Sequence, residues 1–375
     1  MIRRHREAIL VLSTFLAGAS VSYLVLNRWL LTDLGLQSYG RVWQLYVSYI
    51  DFGFVRRAFV GTVLSETGAH LILKNEYYFA LAIHHLSIAT LATIAALFCL
   101  KKRVTDPIFV AGIAFSPAFI IHSGYNTGSL DVFVTILAAL NILVVRHVAM
   151  FSVIAAAGVL THEIFLFTVP AQICALLYAR RSTSGESRLG ILLAPVLVIV
   201  VAAVSVTVFG TSDLSLGAFE DLMRQRLPNA EGNHVLWSGY REIASSVEQD
   251  GSGSLKRLTE IRGGIAYLLL PLAYVALLIA RLRTYSSVST DRPYLAIAVV
   301  APLFTAVVAT DYHRWIAMSA NMGILLSLVL AGESARTESR WNVPLLLFCL
   351  LAPFGGAEIE RPFPMHQFII ERFLH

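Results

Sequence analysis

The chain has 375 residues, of which 57% are hydrophobic and 14% charged, and its net charge is +5. Soluble domains carry about 25% charged residues. This composition, with a mean hydropathy of +0.69, therefore predicts an all-α polytopic membrane protein. The basic residues fall in short clusters between apolar runs, which is typical of membrane topology, and no nucleic-acid partner is expected.

The N-terminal apolar run at residues 8–26 predicts a first span that is not cleaved. Arg3, Arg4 and Arg6 precede the run and place its beginning in the cytoplasm. The small residues at 17–19 resemble a signal-peptidase site, but the run continues well beyond them. The three cysteines lie inside apolar runs without ligand-like spacing, so neither disulfides nor a zinc site is expected.

The apolar runs together predict about eleven transmembrane helices in a single domain, residues 1–375. We expect spans at residues 8–26, 77–100, 107–122, 132–145, 189–209, 263–280, 294–310, 316–331 and 343–353, and two short helices within 148–179 that meet at Thr161-His-Glu163. Basic clusters mark the cytoplasmic ends, most clearly Lys101-Lys-Arg103.

Two segments are predicted to lie on the extracytoplasmic side. Residues 27–76 form a first external loop with interfacial amphipathic helices at 40–50 and 55–73, and Val55, Phe59 and Val63 share one helical face. Residues 58–73 could instead form a short or re-entrant span, which would reverse the sides assigned to later segments. A large external loop is expected at 210–262.

Polar residues with binding or acid–base chemistry collect at the predicted extracytoplasmic ends of the spans, whereas lysine and arginine dominate the other ends. The candidate site residues are Asp51, Arg56, Arg57, Asn126, Asp131, His162, Glu163, Asp311, His313 and Arg314. Charged groups in or beside a membrane are costly, so this asymmetry indicates a functional site on one face.

The stretch from Ser48 to Gly61 carries the most specific hypothesis. Asp51 could act as a base, while Arg56 and Arg57 hold an anion, since planar guanidinium groups bind phosphate oxygens in pairs. The alternative is an internal salt bridge, with the arginines reaching towards lipid headgroups.

The pair His162 and Glu163 lies at a predicted helix break. It could supply acid–base or metal chemistry, or only a hydrogen bond between packed helices. It is not a zinc-protease motif, because Leu166 stands where the second histidine would be required.

The remaining candidates suggest recognition of a phosphate or a sugar. Asp311, His313 and Arg314 precede Trp315, whose ring could stack on a sugar, although an interfacial helix cap is the alternative. Asn126 and Asp131 offer hydroxyl recognition, but the pattern favours Asp131 as the N-cap of its span. Both are therefore substrate-binding candidates, and the N-cap is the alternative for Asp131.

No glycine-rich dinucleotide motif, Walker motif, Asp-x-Asp motif or Gly-x-Ser-x-Gly elbow occurs in the chain. The use of a nucleotide by this chain is therefore unsupported. A base, an arginine pair and an external face remain the features that any function must explain.

The layout resembles the GT-C-type membrane glycosyltransferases and the O-antigen polymerase-like proteins. The resemblance implies a polytopic enzyme of a cell envelope, with an external site that takes a polyprenyl-(pyro)phosphate-linked sugar. Asp51 is similar in position to the acidic residue of the family's first loop, with Asp33 as a competing match. Arg56, Arg57 and Arg314 are similar to its phosphate-binding arginines. The sequence around Asp51 departs from the paired-acid signature of the mannosyltransferase members.

The resemblance predicts sugar transfer in the bacterial inner membrane, with Asp51, His162 and Glu163 as catalytic candidates. The implied partners are a lipid-linked sugar donor, membrane lipids and polysaccharide assembly proteins, and a divalent cation such as Mg²⁺ is a candidate cofactor. A transporter or flippase for an anionic lipid-linked substrate is the main alternative, although the charges lie at one end and no repeat is visible. A non-catalytic assembly subunit is the third possibility.

Overall fold

The computed structural model describes residues 2–26, 41–124, 128–144, 147–180, 188–228, 233–244, 266–285, 292–307, 312–331 and 340–351. Every regular element within these ranges is helical. The α-helices in chain order are α1 (Ile2–Leu26), α2 (Tyr49–Phe52), α3 (Phe59–Glu66), α4 (Glu76–Lys102), α5 (Pro107–Ala114), α6 (Asp131–Ala139), α7 (Val148–Thr161), α8 (Val169–Arg180), α9 (Arg188–Phe209), α10 (Leu216–Arg226), α11 (Asn233–Ala244), α12 (Ala266–Tyr285), α13 (Arg292–Val300), α14 (Tyr312–Ala331) and α15 (Asn342–Leu351).

Four helices within the described residues are long and apolar enough to cross a membrane. They cover Arg4–Leu24, Glu76–Lys102, Gly190–Phe209 and Arg314–Ala331. Shorter apolar helices lie at Asp131–Leu143, Val148–Thr161, Glu163–Ala179 and Arg292–Ala306. The expectation of about eleven spans is thus not confirmed as such, whereas the all-helical architecture with several apolar spans is.

The predicted span at 107–122 is much shorter as a helix. Helix α5 ends at Ala114, two residues before Ser116, and turns and a 3₁₀ helix at His122–Gly124 follow. Pro117 explains the early end, because proline disfavours helical backbone in the residue before it. A long apolar run therefore does not form one long helix where a proline interrupts it.

The break predicted between two short helices in 148–179 is confirmed. Helix α7 ends at Thr161, and His162 is extended, with φ −164° and ψ 132°. A 3₁₀ helix then runs from Glu163 to Thr168 and leads into α8. The break places the side chains of two adjacent polar residues at the end of the helix pair.

The first predicted loop contains shorter helices than expected. Beside α2 and α3, two 3₁₀ helices form at Val42–Leu45 and Ala69–Leu71. Val55, Phe59 and Val63 do not share one helical face, because Val55 precedes α3, which begins at Phe59 and buries Val60 and Gly61. Gly61 permits this packing, because a Cβ there would collide with the Val47 carbonyl oxygen.

Two separate hydrophobic cores organise the molecule. The bundle core joins side chains of α1, α4–α9 and α12–α15. The loop core joins the segment around Trp43 and Val55 to α10 and α11 through Phe219, Met223 and Ile243. Burying such a side chain from water stabilises a fold by about 1.5–3 kcal/mol. The apolar side chains therefore hold α10 and α11 against residues 42–60.

Candidate functional site

The ends of four helices lie in the same region, between the two cores. Helix α6 begins there at Asp131, and α14 begins there at Tyr312, two residues before Arg314. Helix α7 ends there at Thr161, just before His162. The end of α9 contributes Gly210, whose carbonyl oxygen accepts a hydrogen bond of 2.8 Å from the backbone N–H of Arg56. Residues that are distant in the sequence are thereby brought together.

Arg57 lies between two carboxylates from different parts of the chain. Its Nε donates to Glu163 Oε1 at 3.1 Å, and its Nη2 is paired with the same oxygen. Its Nη1 is paired with Glu242 Oε2. The Arg57 side chain is only 14% exposed, so both ion pairs are partly shielded from water.

The backbone of Arg57 is also unusual. Its φ angle is 66°, in the left-handed region that residues other than glycine rarely adopt. Such a conformation costs about 1–2 kcal/mol and persists only where surrounding contacts impose it. Here the two carboxylates and the hydrogen bond of the preceding N–H to Gly210 hold the segment in place.

The charges of the region set the protonation of Glu242. Burial alone would raise its pKa, but the positive charges of Arg57, and then of Arg41 and Arg314, hold the pKa below its usual value. Arg57 shows the converse: burial alone would lower its pKa, but Glu163 and Glu242 outweigh burial and raise it. Both groups therefore carry their charges at neutral pH.

Asp131 and Arg314 form a second ion pair beside the first. Arg314 Nε donates to Asp131 Oδ2 at 2.7 Å, and Nη2 donates to Oδ1 at 2.6 Å. Their side chains are 13% and 7% exposed. The Asp131 carboxylate is therefore not the N-cap of its helix, because Leu130 occupies that position without a side-chain hydrogen bond.

These groups form one cluster of charges. Glu242 experiences the charges of Arg41, Arg314 and His162 as well as that of Arg57, and Arg57 experiences that of Arg314. His162 Nδ1 lies 3.3 Å from Glu163 Oε2. We name as the charge cluster Arg41, Arg57, Asp131, His162, Glu163, Glu242 and Arg314. It contains five of the residues that the sequence placed on one face.

Asp51 has a different partner from the one the sequence suggested. Arg226 Nη2 donates to both of its carboxylate oxygens, at 2.7 and 3.0 Å, and Ser48 Oγ donates to Oδ2 at 2.8 Å. Arg226 lies in the last turn of α10. The pairing of Asp51 with Arg56 or Arg57 is thus replaced by a pairing with the end of α10.

Arg56 also contacts the later segment. Its Nε donates to the backbone carbonyl oxygen of Glu242, and the residue is 4% exposed. Arg56 and Arg57 therefore bind one residue of α11, the first through its backbone and the second through its carboxylate. The arginine pair meets a carboxylate-bearing helix that the sequence had not connected with it.

The side chains of three candidate residues lie outside the part of the chain that the structure describes. Asn126 and Asp311 lie outside the described residues, and the side chain of His313 does too, although its backbone belongs to α14. They remain sequence predictions.

Sequence reasoning missed Glu242, Arg41 and Arg226. Each lies outside the predicted spans, and only tertiary packing brings the three towards the predicted residues. A charge-bearing face on the amphipathic helix α11 was the available signal, because its apolar face packs on Trp43, where Gly239 makes the close contact.

The described residues do not fit the divalent cation that was considered. Among them, no group of three or more His, Cys, Asp or Glu side chains could hold a metal ion. The carboxylates of the charge cluster instead face guanidinium groups. We derive no step through a metal.

The cluster has the chemistry for binding an anion beside a base. Guanidinium groups stabilise phosphate charge, and an ionised carboxylate such as Glu163, 27% exposed, can accept a proton from a hydroxyl. Comparisons with protein-family models, curated proteins and solved structures give no match for the chain. Function is therefore argued from this geometry.

Proposed function

We propose that the protein is a membrane glycosyltransferase or polysaccharide polymerase that acts on a lipid-linked sugar at the extracytoplasmic face. The donor would be a polyprenyl-(pyro)phosphate-linked sugar, and the setting the inner membrane of a bacterium. The observation that carries the proposal is the contact of Arg57 with Glu163, beside the pair of Arg314 with Asp131. It unites phosphate-binding and proton-accepting groups at the ends of apolar helices.

The proposal assigns the base to Glu163 rather than to Asp51. Glu163 contacts the guanidinium of Arg57, whereas Asp51 is engaged by Arg226. An acceptor hydroxyl would give its proton to Glu163 as its oxygen attacks the anomeric carbon of the donor sugar. The bond from that carbon to the phosphate oxygen breaks, and the phosphate leaves with the electron pair.

The arginines then act on the leaving group. Arg57 and Arg314 would stabilise the negative charge that grows on the phosphate, an interaction stronger in the transition state than in the ground state. His162, at 3.3 Å from Glu163, would orient the base. The short apolar helices would cross the membrane tilted or in pairs, which accommodates about eleven passes.

The test is product formation by purified protein given a polyprenyl-pyrophosphate-linked sugar and a lipid-linked acceptor. Glu163→Gln is expected to lower the rate about 10²–10⁴-fold, the usual contribution of a general base. Asp51→Asn serves as the matched carboxylate control and is expected to retain most of the rate. Equal rates for wild type and Glu163→Gln would refute the assignment.

Transport is the second candidate, because three polar side chains are buried and hydrogen-bonded to one another among the apolar helices. Asn141 Nδ2 donates to Gln172 Oε1 at 2.8 Å, and Gln172 Nε2 donates to Thr168 Oγ1 at 2.6 Å. Transporters build their substrate sites from polar groups inside the helix bundle. Movement of a lipid-linked sugar across liposomes, without any product, would favour transport over transfer.

A further inference from the structure

The two carboxylates on Arg57 are held unequally. Glu163 receives hydrogen bonds from Nε at both oxygens, at 3.1 and 3.3 Å, and it is also paired with Nη2. It lies at the start of the 3₁₀ helix that packs into the bundle core through Ile164 and Phe165. Among the described residues, the Glu242 carboxylate accepts from Nη1 of Arg57 and from Nε2 of Gln44, the latter at 3.1 Å.

The guanidinium of Arg57 is already engaged by two carboxylates, since its Nε and Nη2 bind Glu163 and its Nη1 binds Glu242. A phosphate placed beside these groups adds negative charge at short range to a partly buried site. Two like charges about 4 Å apart repel by about 4 kcal/mol at an effective dielectric constant of about 20.

A carboxylate must therefore leave for a phosphate to bind. Of the two carboxylates on Arg57, Glu242 accepts fewer hydrogen bonds than Glu163, and it is carried by α11, a helix of 12 residues outside the apolar spans. Its backbone carbonyl oxygen also accepts from Arg56 Nε. Withdrawal of this one residue would expose the heads of both adjacent arginines to the incoming group.

We propose that the Glu242 carboxylate is a placeholder that occupies an anion site on Arg57, next to Arg56, until the phosphate of the ligand displaces it and the turn of α11 that carries Glu242 loses its hold on the arginines. This inference rests on the proposed function for the identity of the phosphate as part of a lipid-linked sugar. It adds a residue that gates access to the site. The contact of α11 with the arginines would then depend on whether a phosphate occupies the anion site.

The closing experiment measures binding of inorganic pyrophosphate to the purified full chain. Glu242→Gln is expected to tighten binding about tenfold, since a neutral amide competes less for Arg57. Gln44→Leu, which removes the other hydrogen bond to Glu242 Oε2 while leaving the charges unchanged, should tighten binding by about two- to threefold. Glu66→Gln, on the exposed end of α3, is the matched control and should not alter the affinity.

A second readout separates displacement from a general effect of charge. Amide hydrogen exchange of residues 236–244 in the wild type is expected to rise several-fold when pyrophosphate is added, because α11 is released from the arginines. Unchanged exchange in the wild type, or unchanged affinity in Glu242→Gln, overturns the placeholder role. Absence of pyrophosphate binding in wild type and Glu242→Gln alike overturns it as well.

The outcome distinguishes this inference from the proposed function. Tighter binding by Glu242→Gln without any sugar transfer by the wild type would retain the anion site and reject the glycosyltransferase. Transfer by the wild type with no effect of either variant on pyrophosphate binding would retain the enzyme and reject the placeholder.

Discussion

Asp131 and Arg314 stand 183 positions apart in the sequence, yet two hydrogen bonds of 2.6 and 2.7 Å join their side chains. The pair connects the start of α6 to the start of α14, the helix whose apolar span is entirely buried inside the protein. An arginine buried in this way needs a partner, because an uncompensated charge is far more costly than a paired one.

Removing one member of this pair should destabilise the protein strongly. We expect Asp131→Asn to lower the free energy of unfolding by about 3 kcal/mol, because Arg314 is left buried with a neutral partner. Thermal unfolding in one detergent gives the comparison. In the double variant Asp131→Asn/Arg314→Gln the loss should be smaller than the sum of the two single losses. Additive losses would contradict direct coupling.

Part of this site follows from the sequence and part from packing. The His162 break was predicted because a polar pair interrupts an apolar run too long for one span. The partner of Asp51 was not predicted, because nothing in the local pattern specifies which later arginine approaches it. The position of a residue at a helix end can be predicted from the sequence pattern alone. The pairing of Asp51 with Arg226, in contrast, depends on how α10 folds back onto the first loop.

The first loop shows where hydrophobic periodicity fails. A helix was expected through 55–73, but α3 covers only Phe59–Glu66 and uses Gly61 as its contact. Spacing of apolar residues indicates that a face exists but not how closely a neighbouring backbone approaches. Only the close contact with Val47 selects the observed face.

Gly61 is therefore expected to resist substitution. Gly61→Ala adds a methyl group that collides with the Val47 carbonyl oxygen, which should cost about 1–3 kcal/mol of stability. Gly217→Ala is the matched control, since a Cβ there meets nothing within 4 Å and alanine favours a helix. Thermal midpoints of the two variants should shift in opposite directions, and equal shifts would rule out the close approach.

His70 should make stability depend on pH. Burial lowers its pKa from the usual 6.5, further supported by the charge of Arg226, although its hydrogen bond with the Leu45 carbonyl and the charge of Asp51 act the other way. Its ring stacks on Tyr46 with centroids 4.5 Å apart. Since the unfolded chain takes up the proton first, the contribution is complete above about pH 6.5 and is lost as pH falls through the folded pKa.

The measurement for His70 is the thermal midpoint between pH 5 and pH 8. The wild type should lose stability below about pH 6.5 more steeply than His70→Asn, which lacks the titrating group. The difference between the two curves isolates this residue from other titrating groups. Parallel curves over the whole range would show that His70 has the same pKa in both states.

The strained backbone of Arg57 gives a test that is independent of its side chain. At most positions glycine is less stable than alanine by about 0.5–1 kcal/mol, because it loses more freedom on folding. At φ 66° that order should reverse, so Arg57→Gly should be more stable than Arg57→Ala by about 1 kcal/mol. Both variants lose the guanidinium equally, and the difference between their stabilities therefore reports the backbone alone.

The neighbouring pair Arg56→Gly and Arg56→Ala should keep the ordinary order, because Arg56 is not among the described residues with positive φ. If alanine were the more stable residue at both positions, the left-handed conformation of Arg57 would be wrong.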